Sequence, residues 1–89
     1  MDTITVNVRL FATLRQQAGW SQRAVDAPQG SSLGEFMVLL MQQWPDLKLT
    51  GRAVYAAVNQ NYAKQDHVLV DGDEVAIFPP VSGGAGGRE

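Results

Sequence analysis

The chain opens with a strict alternation of apolar and polar side chains. Between Thr3 and Phe11 every second residue is apolar, namely Ile4, Val6, Val8 and Leu10. A period of two with β-branched residues predicts a strand that buries one face. The next residues, Ala12 to Ala18, fit a short helix that ends at Gly19. A weaker strand follows over Trp20 to Ala27, and we expect the two strands to pair antiparallel.

The middle of the chain carries the clearest helix signal. Ser32 and Glu35 have the spacing of a capping box, in which each side chain bonds a free backbone N–H of the first turn. Apolar residues then recur every three or four positions: Leu33, Phe36, Met37, Leu40, Met41 and Trp44. This wide stripe predicts a helix packed on a core, and Pro45 ends it.

The second half is predicted to hold three further strands. Ala53 to Val58 is a nearly continuous apolar run of strand length, which favours a central strand. Asn59 to Asn61 has the composition of a turn, and Val68 to Val70 that of a short strand. Asp71 to Asp73 then forms a tight turn before a last strand over Glu74 to Phe78, in which Val75 and Ile77 share one face and Phe78 takes the other.

These elements predict an α+β fold. One long amphipathic helix must cover one face of a mixed sheet of about five strands, which is the β-grasp arrangement. We expect this domain to span residues 1–81, and residues 82–89 to form a flexible glycine-rich tail. Four of those last eight residues are glycine, so the segment has almost no apolar surface to bury.

Composition narrows the function. The net charge is -2 and the seven cations are scattered, which argues against nucleic acid. There is no cysteine, so disulfides, thiolate metal sites and a cysteine nucleophile are excluded. A lone histidine, His67, is a poor metal site, and we expect no metal. No apolar run is long enough to span a membrane and no signal peptide is evident, so we expect a cytoplasmic protein.

The glycine-rich residues 82–89 allow two interpretations. A glycine-rich end is often only a frayed terminus. A Gly-Gly pair is also thin enough to enter a channel too narrow for any Cβ, with the Pro79-Pro80 pair aiming it outward. A carboxylate at such a tip could be delivered into another protein's active site.

Three stretches resemble the small subunit of molybdopterin synthase, a ubiquitin-like sulfur carrier. They are LFATLRQQAG (Leu10 to Gly19), AAVNQ (Ala56 to Gln60) and HVLVDGDEVAIFPPVSGG (His67 to Gly84). The resemblance runs from Val6 to Gly84, and it implies the same β-grasp fold. It also implies that the chain is no enzyme by itself and binds no cofactor.

The resemblance implies a reaction at the C-terminal glycine, which aligns with Gly84 and follows Gly83. An E1-like adenylyltransferase would use ATP to activate the glycine carboxylate. A sulfurtransferase would then supply sulfur to give a thiocarboxylate, which the tail would carry into the large subunit of the synthase for the molybdopterin dithiolene. A heterotetramer of two small and two large subunits is implied as well.

The sequence departs from this family pattern by continuing past Gly84 with five more residues. An internal peptide bond has no carboxylate to adenylate, so the hypothesis requires a peptidase that exposes Gly84. Trimming of Arg88 and Glu89 to expose Gly87 is the alternative. The register with the FPPV stretch favours Gly84.

The resemblance further assigns a partner-binding surface. Phe11, Tyr62 and Phe78 would form its hydrophobic part, and the segment that leads into the tail would complete it with Pro79, Pro80 and Val81. Phe78 could equally belong to the core. Two other functions stay open: a sulfur carrier for thiamine or cysteine biosynthesis, and a ubiquitin-like protein modifier.

Overall fold

The computed structural model describes residues 2–49 and 55–79 of the chain. The strands are β1 Thr3–Leu10, β2 Gln22–Pro28, β3 Tyr55–Val58, β4 Asn61–Tyr62 and β5 Glu74–Phe78, and the helices are α1 Thr13–Ala18 and α2 Leu33–Gln43. The predicted alternation and both predicted helices are confirmed to within one or two residues. Residues 53 and 54 of the predicted third strand lie outside the described residues.

The five strands form one mixed sheet in the order β2-β1-β5-β3-β4. β1 pairs antiparallel with β2, as predicted, and parallel with β5. β3 pairs antiparallel with both β5 and β4. The two ends of the domain therefore meet at the centre of the sheet, which brings the last described residues beside the end of β1.

The core lies between one face of the sheet and α2. Val6, Val8, Val75 and Ile77 are fully buried on that face, which we call the inner face. Phe36 and Leu40 from α2 are also fully buried and belong to the same cluster. This burial is the main favourable term in folding a domain of this size, and it confirms the helix-on-sheet prediction.

The backbone N–H groups at the start of α2 find hydrogen-bond acceptors both within the helix and in a neighbouring segment. The Ser32 hydroxyl accepts from the Glu35 N–H at 3.2 Å and the Glu35 carboxylate accepts from the Ser32 N–H at 2.9 Å, so the predicted capping box is confirmed. The Gly34 N–H donates to the Gln65 carbonyl at 2.9 Å. A Cβ on Gly34 would come within 3.2 Å of the Gln65 Cβ, which explains a glycine in the first turn.

Two details of the predicted second half are wrong. Asn61 is not part of the turn but begins β4. Val68 to Val70 is not a strand, because it makes a single bridge, from Val68 to Ser32. In that segment Leu69 is buried in the core, while Val68 and Val70 are more than half exposed. The segment therefore contacts the core through Leu69 alone and does not extend the sheet. Residues 2–49 and 55–79 nevertheless contain five strands, the number predicted.

Candidate protein-docking surface

The face of the sheet opposite α2, here called the outer face, carries aromatic side chains at one end. The register sets Phe78 of β5 opposite Tyr55 of β3, and Ala57 of β3 between Ala76 and Tyr62. Directly opposed residues on paired strands point to the same side of a sheet. Phe11 follows the last residue of β1, and its ring stacks on that of Phe78 with centroids 4.6 Å apart. We call Phe11, Tyr55, Tyr62 and Phe78 the aromatic patch.

The aromatic patch is partly open to solvent. Tyr62 is 82% exposed and Tyr55 is 48% exposed, whereas Phe11 and Phe78 shield each other and are half-buried. A groove of about 280 Å³ runs across this area. Its lining consists of Arg9, Phe11, Ala57, Gln60, Tyr62, Glu74, Ala76 and Phe78. Small alanines on the floor and aromatic rings on the walls leave an apolar depression that no described part of the chain covers.

A charged pair borders the groove. The Arg9 guanidinium lies 3.5 Å from the Glu74 carboxylate, and both side chains are partly exposed. The same guanidinium lies 5.6 Å from the centre of the Phe11 ring, within the range of a cation–π contact. An exposed ion pair of this kind contributes little to folding. An apolar centre with a polar rim is, however, the usual anatomy of a protein–protein interface.

The structure brings together the three aromatic residues singled out in the sequence. Phe11, Tyr62 and Phe78 lie on the same end of the outer face, and Phe78 is not part of the core cluster. Pro79 is half-buried directly after β5, so the described residues end beside Phe78. The other predicted residues, Pro80, Val81, Gly83, Gly84 and Gly87, lie outside the described residues. Their roles, and the boundary at residue 81, stay predictions.

Sequence reasoning missed Tyr55 and the Arg9–Glu74 pair. Tyr55 lay inside an apolar run that was interpreted as a central strand, and only the register with β5 sets it opposite Phe78. The period of two in a strand places Tyr55 on the face opposite Ala56 and Val58, but all four residues are apolar and only Tyr55 is exposed, so no alternation marks that face. Arg9 was assigned to the polar face of β1, and nothing local to it indicated Glu74, which is 65 residues away along the chain.

Other candidate chemistry is weaker. Among residues 2–49 and 55–79, no group of three or more His, Cys, Asp or Glu side chains is arranged to hold a metal ion. The His67 side chain is exposed, and its backbone N–H and carbonyl bond Lys64 and Leu33. In the same described ranges, neither helix has the length and apolarity needed to cross a lipid bilayer.

A mixed five-stranded sheet with one long helix on its inner face defines a ubiquitin-like β-grasp protein. The family model that matches the chain is the ThiS family, over residues 8–84. The chain belongs to this family. The match ends at the glycine that the sequence pattern had singled out.

Relatives of known name and solved structures agree with this assignment. The molybdopterin synthase sulfur carrier subunit of Escherichia coli is 41% identical over 81 residues, covering 89% of this chain and 99% of that protein. The structure of SAMP1 from Haloferax volcanii matches with a TM-score of 0.81 and 30% identity over 90% of this chain and 99% of that one. A chain in the complex of subunits 1 and 2 of the molybdopterin-converting factor from Helicobacter pylori matches with a TM-score of 0.63 and 26% identity, covering 91% of this chain and all of that one.

Proposed function

We propose that this chain is the sulfur-carrier subunit of a molybdopterin synthase. The single observation that carries the proposal is the likeness to the E. coli sulfur carrier subunit, which extends over 99% of that protein. The family match that ends at residue 84 supports Gly84 as the glycine that carries sulfur.

The proposed chemistry takes place at the Gly84 carboxylate. Attack of a carboxylate oxygen on the α-phosphorus of ATP, with loss of pyrophosphate, gives an acyl-adenylate on the activating enzyme. Hydrosulfide-level sulfur from the donor then attacks the acyl carbon and displaces AMP, and loss of the thioacid proton leaves a thiocarboxylate. Gly83 and Gly84 carry no side chains, so this end can enter a narrow active site. The residues after Gly84 must be removed first, by a peptidase, because a peptide carbonyl is not a substrate for adenylation.

The outer face is the proposed docking surface for the large subunit. The aromatic patch lies at the end of the sheet where the described residues end, beside Phe78 and Pro79, so one partner could hold the patch and receive the residues that follow. Exposed apolar patches of this kind on small proteins usually mark binding sites. The H. pylori structure is a complex of a similar chain with its second subunit, which supports a large-subunit partner.

In this proposal the chain itself catalyses nothing. The carrier provides a covalently bound sulfur and a docking surface, while the activating enzyme, the sulfurtransferase and the large subunit provide the nucleophiles and proton transfers. ATP is a substrate of the activating enzyme and is not a ligand of this chain. The setting is the cytoplasm, where those partners would be available.

The test is a reconstitution of sulfur transfer. The chain is truncated after Gly84, converted chemically to the thiocarboxylate and mixed with a molybdopterin synthase large subunit and the pterin precursor. We expect conversion of the precursor. The mass of the carrier should fall by the difference between one sulfur and one oxygen atom, as its thiocarboxylate becomes a carboxylate. The matched control is the same truncated chain with an ordinary carboxylate, which should convert nothing. Absence of conversion by the thiocarboxylate form would contradict the proposal.

A protein modifier is the second candidate, because SAMP1, a small archaeal modifier protein, has the same fold at 30% identity. A modifier would be found joined through its terminal glycine to lysines of other proteins. Recovery of such conjugates from cells that express the tagged chain, by mass spectrometry under denaturing conditions, would favour this function. Free thiocarboxylate without conjugates would favour the carrier.

A further inference from the structure

Asn59 and Asp73, which lie 14 residues apart in two different sequence motifs, bond each other through their side chains, and we call this pair the clamp. Asn59 belongs to the AAVNQ stretch and Asp73 to the DGDEVA stretch. The Asn59 Nδ2 donates to Asp73 Oδ1 at 2.9 Å, and the Asn59 Oδ1 accepts from the Glu74 N–H at 3.0 Å. The second carboxylate oxygen of Asp73 accepts from the Val70 N–H at 2.8 Å. Asp73 is only 5% exposed, so both bonds of its carboxylate are partly buried, whereas Asn59 is exposed and its bond to the Glu74 N–H lies near the surface.

The clamp holds a strained turn. Asn59 and Gln60 connect β3 to β4, and both have positive φ angles, of 52° and 74°. Two residues with positive φ form the type I′ turn of tight hairpins, which favours Asn at the first position and Gly at the second. Gln60 has a Cβ and is disfavoured there. A strained conformation of this kind persists only where the surroundings enforce it. The backbone of Asn59 contributes, because its N–H donates to the Glu74 carbonyl at 2.8 Å and its carbonyl accepts from Asn61 Nδ2 at 3.2 Å. The bonds of the Asn59 side chain add the link to Asp73.

The position of Tyr62 depends on that turn. Tyr62 lies in β4, a strand of two residues at the edge of the sheet. Its ring is 82% exposed and therefore has little packing that would hold it in place. β4 is also held by its two-residue pairing with β3, and beyond that pairing the Ala63 N–H donates to the Ala56 carbonyl at 3.2 Å. Gln60 and Tyr62 both line the groove of the docking surface.

We propose that Asn59 and Asp73 are positioning residues for partner docking, which act by holding the β3–β4 turn so that Tyr62 and Gln60 present the groove in its binding shape. Neither residue needs to touch the partner. The inference rests on the proposed function, because it assigns the aromatic patch to docking. It gives the AAVNQ and DGDEVA stretches a joint role in shaping that patch.

A donor–acceptor exchange tests the clamp. Asn59→Asp sets two carboxylates against each other, and Asp73→Asn leaves one acceptor oxygen for two donors, so either Asn59 Nδ2 or the Val70 N–H loses its partner. The double variant restores every bond with the roles reversed: Asn at 73 donates to Asp at 59 and accepts from the Val70 N–H, while Asp at 59 accepts from the Glu74 N–H. Asp also tolerates positive φ.

We expect each single variant to weaken binding to a molybdopterin synthase large subunit by roughly tenfold, since a buried bond to a charged group is lost. The double variant should return to within about threefold of the original chain. Binding is measured by calorimetry well below the unfolding temperature. In the free chain, hydrogen exchange of the Ala63 amide should accelerate in the single variants and slow again in the double variant.

Two controls separate positioning from general destabilisation. Ser32→Ala removes the cap of α2, away from the outer face, and should lower stability without changing affinity or Ala63 exchange. In a Tyr62→Ala background, Asn59→Asp should cost much less affinity than in the original chain, because the side chain that it positions is gone. Single variants that bind within about twofold of the original chain, or a double variant that does not recover, would overturn the inference. If the original chain does not bind the large subunit at all, the proposed function fails, and Ala63 exchange still decides whether the clamp holds the turn.

Discussion

The two faces of the sheet bury apolar side chains to different degrees. On the inner face Val8, Val75 and Ile77 are fully buried under α2. On the outer face Phe78 is half-buried, and Tyr55 and Tyr62 are exposed. Phe78 directly follows Ile77, so neighbouring residues of one strand meet different surroundings. Apolar surface on the inner face stabilises this chain, whereas apolar surface on the outer face stays open, which is where the proposed function places a partner.

The largest effect is expected from a truncation on the inner face. Ile77→Ala should lower the free energy of unfolding by about 2–5 kcal/mol, because the lost methyl groups leave a cavity in a packed core. Urea denaturation followed by circular dichroism measures this. At temperatures where the variant is still folded, partner affinity should be unchanged. A loss below about 1 kcal/mol would mean that the inner face is not the core.

The neighbouring residue on the outer face should give the reverse result. Phe78→Ala removes the ring that stacks on Phe11 at the centre of the patch and should cost about 2 kcal/mol of binding free energy, or roughly 30-fold in affinity for the large subunit. Its effect on stability should stay near 1 kcal/mol, the value of one aromatic pair. Unchanged affinity by calorimetry would remove Phe78 from the interface.

A smaller effect tests how far the docking surface extends. Tyr55→Ala should weaken binding by about 1 kcal/mol, roughly fivefold, because Tyr55 is opposite Phe78 but lies outside the lining of the groove. The matched control is Val38→Ala, since Val38 is 50% exposed on α2, away from the patch. Equal affinities for the two variants would restrict the surface to Phe11, Tyr62 and Phe78.

The smallest effect concerns the turn at the rim of the outer face. Gln60→Gly relieves a side chain held at a φ of 74° and should raise the free energy of unfolding by up to about 1 kcal/mol. Thermal unfolding measures this, with Gln16→Gly in α1 as the control that should destabilise by a similar amount. A destabilised Gln60→Gly variant would show that the Gln60 side chain makes contacts that outweigh its strain.

Much of the fold was predictable because local rules suffice for it. The alternation in β1, the Ser32–Glu35 capping box and the apolar stripe of α2 each depend on residues that lie close together along the chain. The structure confirms all three. Val68 to Val70 misled the prediction for the same reason. Three apolar residues in a row satisfy the local pattern of a strand, but a strand also needs a neighbour to pair with, and this segment has only one bridge.

The sequence by itself determined both helices, β1, β2, β5, the side of β5 on which Phe78 lies, and the family, because periodicity, caps and a long specific motif are properties of the chain. The tertiary structure alone decided that β1 and β5 lie side by side, that Tyr55 joins the aromatic patch, and that Asn59 bonds Asp73. Each of these depends on the register between strands that are far apart in the chain. Register is set by the fit of the whole core, and no single segment contains it.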